Sequence, residues 1–251
     1  MSDWFSALMA ALVLALGGTT APAVPPASTV PAAPSTADAD RTAATGVVLG
    51  GVRVALPAGS SQVVTVNRTS GSRARVSLWQ RDASGWQRVA RSTRGHIGYG
   101  GLARPRHRHQ GSGTTPLGTH RLLWSFGTRA ADPAWRLSHR TIAAGDYWVQ
   151  DNRSAYYNRY RNKAEGGFRW WLPTSDYNSS ELLTDFRREY EYAIVTSYNY
   201  EAQVRRRGSG IFLHVNGGGP TSGCVSATRS FLRTTFATLD PEQRPVIAIG
   251  R

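Results

Sequence analysis

Cys224 is the only cysteine of the 251-residue chain, so it cannot form a disulfide within it. It stands in the run His214-Val-Asn-Gly-Gly-Gly-Pro-Thr-Ser-Gly-Cys224-Val-Ser, with His214 ten positions upstream. A thiol, an imidazole and a glycine-rich turn between them are the components of a thiolate nucleophile, its base and a backbone anion hole. The chemistry these residue types support is acyl transfer through a thioester. A lone cysteine is also a common buried hydrophobe, and composition alone favours that plainer account. The histidine, the glycines and a helix start just downstream weigh on the catalytic side.

The elements that would position these groups follow from the pattern. Ile211–Val215 reads as a strand that sets His214 on the face opposite Leu213. Gly217-Gly218-Gly219-Pro220 allows a tight exit, and Gly223 allows backbone to approach beside the sulfur. The N–H groups of Gly223 and Cys224 are the candidate oxyanion donors, and the hydroxyls of Thr221 and Ser222 the candidate orienting groups. Ser226 is the expected cap of a helix whose stripe is Phe231, Leu232, Phe236 and Leu239, stopped by Asp240-Pro241. A helix N-terminus that close to Cys224 would depress its pKa.

Upstream, Val52–Leu56, Gln62–Val66 and Arg75–Trp79 alternate as strands between turn signals such as Pro57-Ala-Gly59 and Ser84-Gly85. Further strands are expected at Tyr190–Tyr200 and Val246–Ile249, and a second short helix at Ser180–Arg188. Many short strands punctuated by glycine and proline make a mainly β domain.

The chain carries 30 basic against 16 acidic residues, a net charge of +14, and Lys163 is its only lysine. Such a surface attracts nucleic acid, anionic membrane and anionic wall polymer alike, but no nucleic-acid-binding motif is present. Residues 1–23 read as an export signal: an apolar run from Trp4 to Leu16, too short to span a bilayer, then Ala21-Pro22-Ala23. No Lys or Arg precedes Arg41, which is atypical of such a signal. Residues 24–45 read as a Pro/Ala/Thr-rich linker, and 46–251 as one domain. The chain is therefore expected to be exported, to the cell wall, a periplasm-like space or the medium, with no transmembrane helix in the mature chain.

With its Thr221-Ser-Gly-Cys-Val225 motif after His214, the chain resembles the L,D-transpeptidases of the YkuD family. The resemblance extends to Gly113-Thr-Thr-Pro-Leu-Gly118, to Asp146-Tyr-Trp-Val-Gln-Asp151 with Tyr157-Asn158, to Tyr192–Asn199 and to Pro245–Gly250. It is clearest over residues 102–251. It implies a β-sandwich with a short helix beside the cysteine, Cys224 as nucleophile and His214 as general base and acid. It also implies a peptidoglycan stem as both acyl donor and amine acceptor. D-alanine would leave a tetrapeptide and a 3→3 cross-link would form. Asn216, Gly217, Arg229 and Tyr157 are the candidate substrate contacts. Three departures stand out: the interval from His214 to Cys224 is shorter than the family's, Ser222 replaces a His or Arg, and Ser226 replaces an Arg or Asn.

Alternatives remain at this level. Water in place of an amine would make the same enzyme an L,D-carboxypeptidase, and loss of chemistry would leave a module that binds anionic wall polymer. The aromatics Tyr156–Tyr160 and Trp170-Trp171 suit either a groove or a core. Arg104–His109 is expected to be a solvated basic loop, because no carboxylate or second cysteine completes a metal set. No metal or cofactor is expected.

Overall fold

The structure is a computed structural model and describes residues 45–251; the expected export signal and nearly all of the linker lie outside the described residues. The strands, in chain order, begin with β1 (Thr45–Leu49), β2 (Val52–Leu56), β3 (Gln62–Ser70), β4 (Arg73–Asp82) and β5 (Gly85–His96). Next come β6 (Leu102–Ala103), β7 (Thr115–Pro116), β8 (Gly118–Gly127), β9 (His139–Thr141), β10 (Asp146–Trp148), β11 (Tyr160–Asn162) and β12 (Glu181–Leu182). Then follow β13 (Ala193–Thr196), β14 (Phe212–Val215), β15 (Val225–Ala227), the helix α1 (Arg229–Thr238) and β16 (Val246–Gly250).

The main sheet runs β13-β14-β15-β5-β4-β3-β16-β8, and β8 pairs back onto β13, so the sheet closes on itself; β9 adds to the outer side of β8. Closure removes most free sheet edges. The result is the mainly β domain that the alternation of the sequence implies, with the sandwich-like architecture that the family resemblance implies. Strand alternation decides what each face buries. Val64, Val66, Val76, Leu78, Leu213, Val225 and Ile247 point inward to one large core. The β1–β2 hairpin lays Leu49, Val52, Val54 and Leu56 over the other face of β3 and β16, against Val63, Val246 and Ala248.

One α-helix is present among the described residues. Its N-cap is Thr228, whose hydroxyl accepts from the Phe231 N–H, and not Ser226. Ser226 instead belongs to β15, opposite His214 on one side and His96 on the other. The apolar stripe reads as expected: Phe231, Leu232, Phe236 and Leu239 are all buried in the main core. The helix expected at Ser180–Arg188 does not form. Leu182 pairs with Tyr147 in β12, and two 3-10 turns follow, Leu183–Phe186 and Glu189–Glu191. Ser180 accepts a hydrogen bond from the Gln150 N–H rather than capping a helix. A segment this short gains little from helical nucleation, and pairing with β10 satisfies its backbone instead.

Phe236 packs edge-to-face against Trp135, at 4.8 Å between centroids, and Tyr192, at 5.0 Å. Phe236→Ala is expected to cost about 3–5 kcal/mol of unfolding free energy, read from urea denaturation; a loss under about 1 kcal/mol would show that α1 contributes little to the core.

Candidate active site

Two adjacent strands build the site. β14 and β15 run parallel, with Leu213 beside Val225 and His214 beside Ser226. Leu213 and Val225 face the main core, while Phe212 and Cys224 face a second apolar cluster with Phe126, Trp148, Leu183 and Tyr190. His214 is on the same face as Phe212, as the alternation of the strand requires, and both His214 and Cys224 line one cavity of about 380 Å³.

The sulfur is held by backbone. The Phe212 N–H donates to Cys224 Sγ at 3.3 Å, and the thiol donates to the Gly210 carbonyl at 3.1 Å. Gly210 is itself fixed by Asn158, whose Oδ1 accepts from the Gly210 N–H and from Trp148 Nε1, both at 2.9 Å. Asn158 Nδ2 donates to the carbonyls of Tyr198 and Asn199. A fully used buried amide therefore positions the acceptor of the thiol proton.

His214 Nδ1 lies 2.8 Å from the Val215 carbonyl. A carbonyl only accepts, so Nδ1 carries the proton and Nε2 keeps its lone pair. The ring meets Tyr190 edge-on, 5.5 Å between centroids. Burial lowers the His214 pKa to about 4, so the ring is a neutral base at rest.

The loop between the strands is stitched down. Thr221 exchanges backbone hydrogen bonds with Ile97 and Tyr99, and its hydroxyl donates to the Cys224 carbonyl at 2.6 Å. The Thr115 hydroxyl accepts from the Gly98 N–H and donates to the Gly223 carbonyl, each at 2.8 Å. Gly223 has φ +139°, and a Cβ there would come 2.8 Å from an Arg108 nitrogen and 3.0 Å from the Thr114 carbonyl. Only glycine fits this close approach.

The expected contacts fare unevenly. Gly217, Thr221 and Ser222 line the cavity with Cys224 and His214. The Thr221 hydroxyl turns back onto its own loop rather than toward His214, and it also accepts from the Gly223 N–H at 3.2 Å. That N–H is therefore already engaged in the resting site. Asn216 donates to the Arg94 carbonyl and does not line the cavity. Arg229 forms a two-pronged ion pair with Glu191 and also lies outside it. Tyr157 is fully buried, its hydroxyl donating to Gln110 Oε1 at 2.9 Å, so it supports the wall from behind. Trp171 and Tyr156 are exposed.

Three lining residues lay outside the sequence reading. Arg108, in the loop expected to be solvated, is only 3% exposed. It donates to the carbonyls of Thr114 and Arg207, lies over the Tyr198 ring at 5.2 Å, and reaches no carboxylate among the described residues. Glu181 accepts from the Tyr190 hydroxyl and lines the cavity with it. No spacing rule links Arg108, Glu181 and Tyr190 to the cysteine, because each reaches it from a different part of the chain. Among the described residues no group of His, Cys, Asp and Glu could hold a metal ion, and no helix is long and apolar enough to cross a membrane.

The depressed thiol pKa expected from a helix N-terminus is not found. α1 begins at Arg229 and packs on the core face of β15, away from the sulfur. Burial and, after it, the charge of Glu181 push the Cys224 thiol up to about 12, against the opposing pull of the Phe212 N–H and Arg108.

The closed, sandwich-like sheet thus presents a cysteine and a histidine on one face of two neighbouring parallel strands, both lining one cavity. The family model of the L,D-transpeptidase catalytic domain, YkuD, matches residues 57–247, and the chain belongs to that family. The family acts on peptidoglycan, and its domains are typically associated with the cell wall. No curated protein matches the chain. A solved structure, that of Bdellovibrio bacteriovorus Bd1075, is similar at 16% identity and a TM-score of 0.36, over 76% of this chain and 48% of that one. This chain thus spans about half the length of that protein.

Without substrate, alkylation of Cys224 by iodoacetamide is expected to be slow at neutral pH and to keep rising past the usual thiol pKa of about 8.5. An inflection below pH 8 in that rate profile would refute the buried, neutral thiol.

Proposed function

We propose that the protein is an exported L,D-transpeptidase that forms 3→3 cross-links in peptidoglycan through a thioester on Cys224. The observation that carries this reading is the placement of Cys224 and His214 on one face of neighbouring strands, opening into one cavity, in a chain of this family. Peptidoglycan stems would be acyl donor and amine acceptor, and the arginine-rich surface suits an anionic wall.

In this mechanism the resting pair is neutral, with a thiol near 12 and an imidazole near 4. No stable thiolate–imidazolium pair exists at those values, so proton transfer accompanies attack on the substrate. The thiol leaves the Gly210 carbonyl and gives its proton to His214 Nε2 as sulfur bonds to the carbonyl carbon between the third residue and D-alanine. The imidazolium then protonates the leaving amine, the C–N bond breaks, and D-alanine departs. An amine from a second stem attacks the thioester, the C–S bond breaks, and the sulfur regains a proton.

The negative charge that develops on the carbonyl oxygen needs a donor. In the resting site the Gly223 N–H is held by Thr221, and Arg108 is the cation in the cavity wall closest to that backbone. Arg108 therefore takes the electrostatic role that a helix N-terminus would otherwise have supplied. Arg229, committed to Glu191, is not required.

Purified protein incubated with tetrapeptide-rich peptidoglycan, then digested with muramidase, is expected to yield 3→3 dimers and free D-alanine. Cys224→Ala and His214→Ala should yield neither, with their folds intact by circular dichroism. Tripeptides without dimers would replace transfer by carboxypeptidase action. No cysteine-dependent change at all would leave a wall-binding module.

Arg108→Gln is expected to slow D-alanine release about 10²-fold, with partial recovery in Arg108→Lys, whereas Arg229→Ala should release D-alanine at the wild-type rate. Equal rates for Arg108→Gln and wild type would remove the guanidinium from the mechanism.

A further inference from the structure

The chain has nearly twice as many basic as acidic residues, and Asp151, Glu165, Glu191, Glu201, Asp240 and Glu242 are all in ion pairs with arginine. Glu181 has no cationic partner among the described residues. Its carboxylate accepts from the Tyr190 hydroxyl on one oxygen and from Gln150 Nε2, at 3.4 Å, on the other. The strand β12 fixes its backbone against Trp148.

Its location gives that carboxylate a use. Beside the thiol cavity lies a second one of about 520 Å³, lined by Trp170, Leu172, Tyr177 and Asp185 among others. Gln110, Gly111, Gln150, Glu181 and Phe186 line both. Of these, Glu181 alone is ionisable. The second cavity also presents Asp176 and Asp185, neither in an ion pair among the described residues, so it suits an entering cation.

We propose that the second cavity receives the acceptor stem and that Glu181 is the general base for its amine. This rests on the thioester reading above. The acceptor arrives as an ammonium ion, which cannot attack. It gives one proton to the Glu181 carboxylate; its nitrogen then bonds to the thioester carbonyl. The C–S bond breaks, the second amine proton passes to His214 Nε2, and from there to the departing sulfur. Atoms and charge balance, with the proton on Glu181 returned to solvent as the product leaves.

The electrostatics suit the task. Burial raises the Glu181 pKa to about 7, while the Tyr190 hydrogen bond pulls it down and Asp185 pushes it up. The titratable and charged groups that line the two cavities beside this carboxyl are Tyr190, Glu189 and Asp185 from the turns after β12, Tyr147 from β10, Asp176 and Tyr177 before β12, Tyr99 and Arg108 before β7, His214 from β14 and Cys224. A base of this strength is ionised in half or more of the molecules at neutral pH. Its proton affinity exceeds that of His214, which stays free to serve the sulfur.

The test separates acylation from transfer. Donor disaccharide-tetrapeptide is mixed with wild type or Glu181→Gln, and intact-protein mass spectrometry follows the acyl-enzyme; a tripeptide stem is then added as acceptor. Glu181→Gln is expected to acylate and release D-alanine, accumulate the thioester, and transfer to the amine about 10²-fold more slowly. In wild type the transfer rate should rise with pH through about 7, and this inflection should vanish in Glu181→Gln. Tyr190→Phe removes the hydrogen bond that lowers the carboxyl pKa, so its inflection should move to higher pH; this keeps the test decisive should the glutamine variant misfold. Discharge of Glu181→Gln at the wild-type rate, loss of acylation in that folded variant, or an unmoved inflection in Tyr190→Phe would overturn the assignment. Absence of any acyl-enzyme in wild type would instead overturn the thioester reading on which it rests.

Discussion

The sulfur of Cys224 is held between one backbone donor and one backbone acceptor in an apolar recess, and the rest of the site is arranged around that constraint. Desolvation opposes the thiolate. The same desolvation keeps His214 neutral, with one tautomer fixed by the Val215 carbonyl. Both partners therefore rest uncharged, which is the cheaper state for a buried pair. In the proposed thioester mechanism a donor substrate changes this balance, since the charge that leaves the sulfur can settle on a carbonyl oxygen beside a cation. Chemistry in such a site is tied to occupancy, and a resting thiol that stays protonated is poorly reactive toward stray electrophiles.

The second consequence concerns charge across the cavity. Among the described residues Arg108 is buried without a carboxylate, held by two carbonyls and a tyrosine ring, while the half-buried Glu181 has no cation. Isolated buried charges are costly, and elsewhere on this molecule carboxylates find arginines readily. The two opposite charges act on the same sulfur with opposite sign. The net charge of the chain plays no part in this; it is the two unpaired side chains that polarise the cavity.

Strand and core residues were readable from sequence because their signal is local. Val52–Leu56 forms the strand its alternation indicates, the faces of Leu213 and His214 separate as period two requires, and the α1 stripe is buried as its spacing requires. The glycine motif and the lone thiol likewise belong to one short segment. The failures arose where tertiary pairing outweighed local preference. Ser180–Arg188 has helical spacing, yet β10 offers its first residues a strand partner. Ser226 is a good cap by type, but β14 and β5 claim its backbone, and the helix starts after Thr228. The helix-dipole argument for the thiol failed with it. Arg108 sits in the run Arg104–His109 that reads as solvated loop; the other members of that run are exposed, and only the fold reveals that Arg108 is buried.

The short connection between β14 and β15 explains why so many distant residues converge on the cysteine. Parallel neighbours usually need a crossover of about a dozen residues or more, whereas residues 216–224 make this one. Such a loop cannot carry its own packed structure, so its geometry is borrowed. Ile97 and Tyr99 pair with Thr221, Thr115 bridges Gly98 to Gly223, and Asn158 fixes Gly210 against the sulfur. Those partners come from opposite sides of the closed sheet and are brought together only when β8 joins β13 and β5 joins β15. The surroundings of Cys224 are therefore assembled by closure of the sheet rather than by its own motif, and the motif is silent about the residues that complete them.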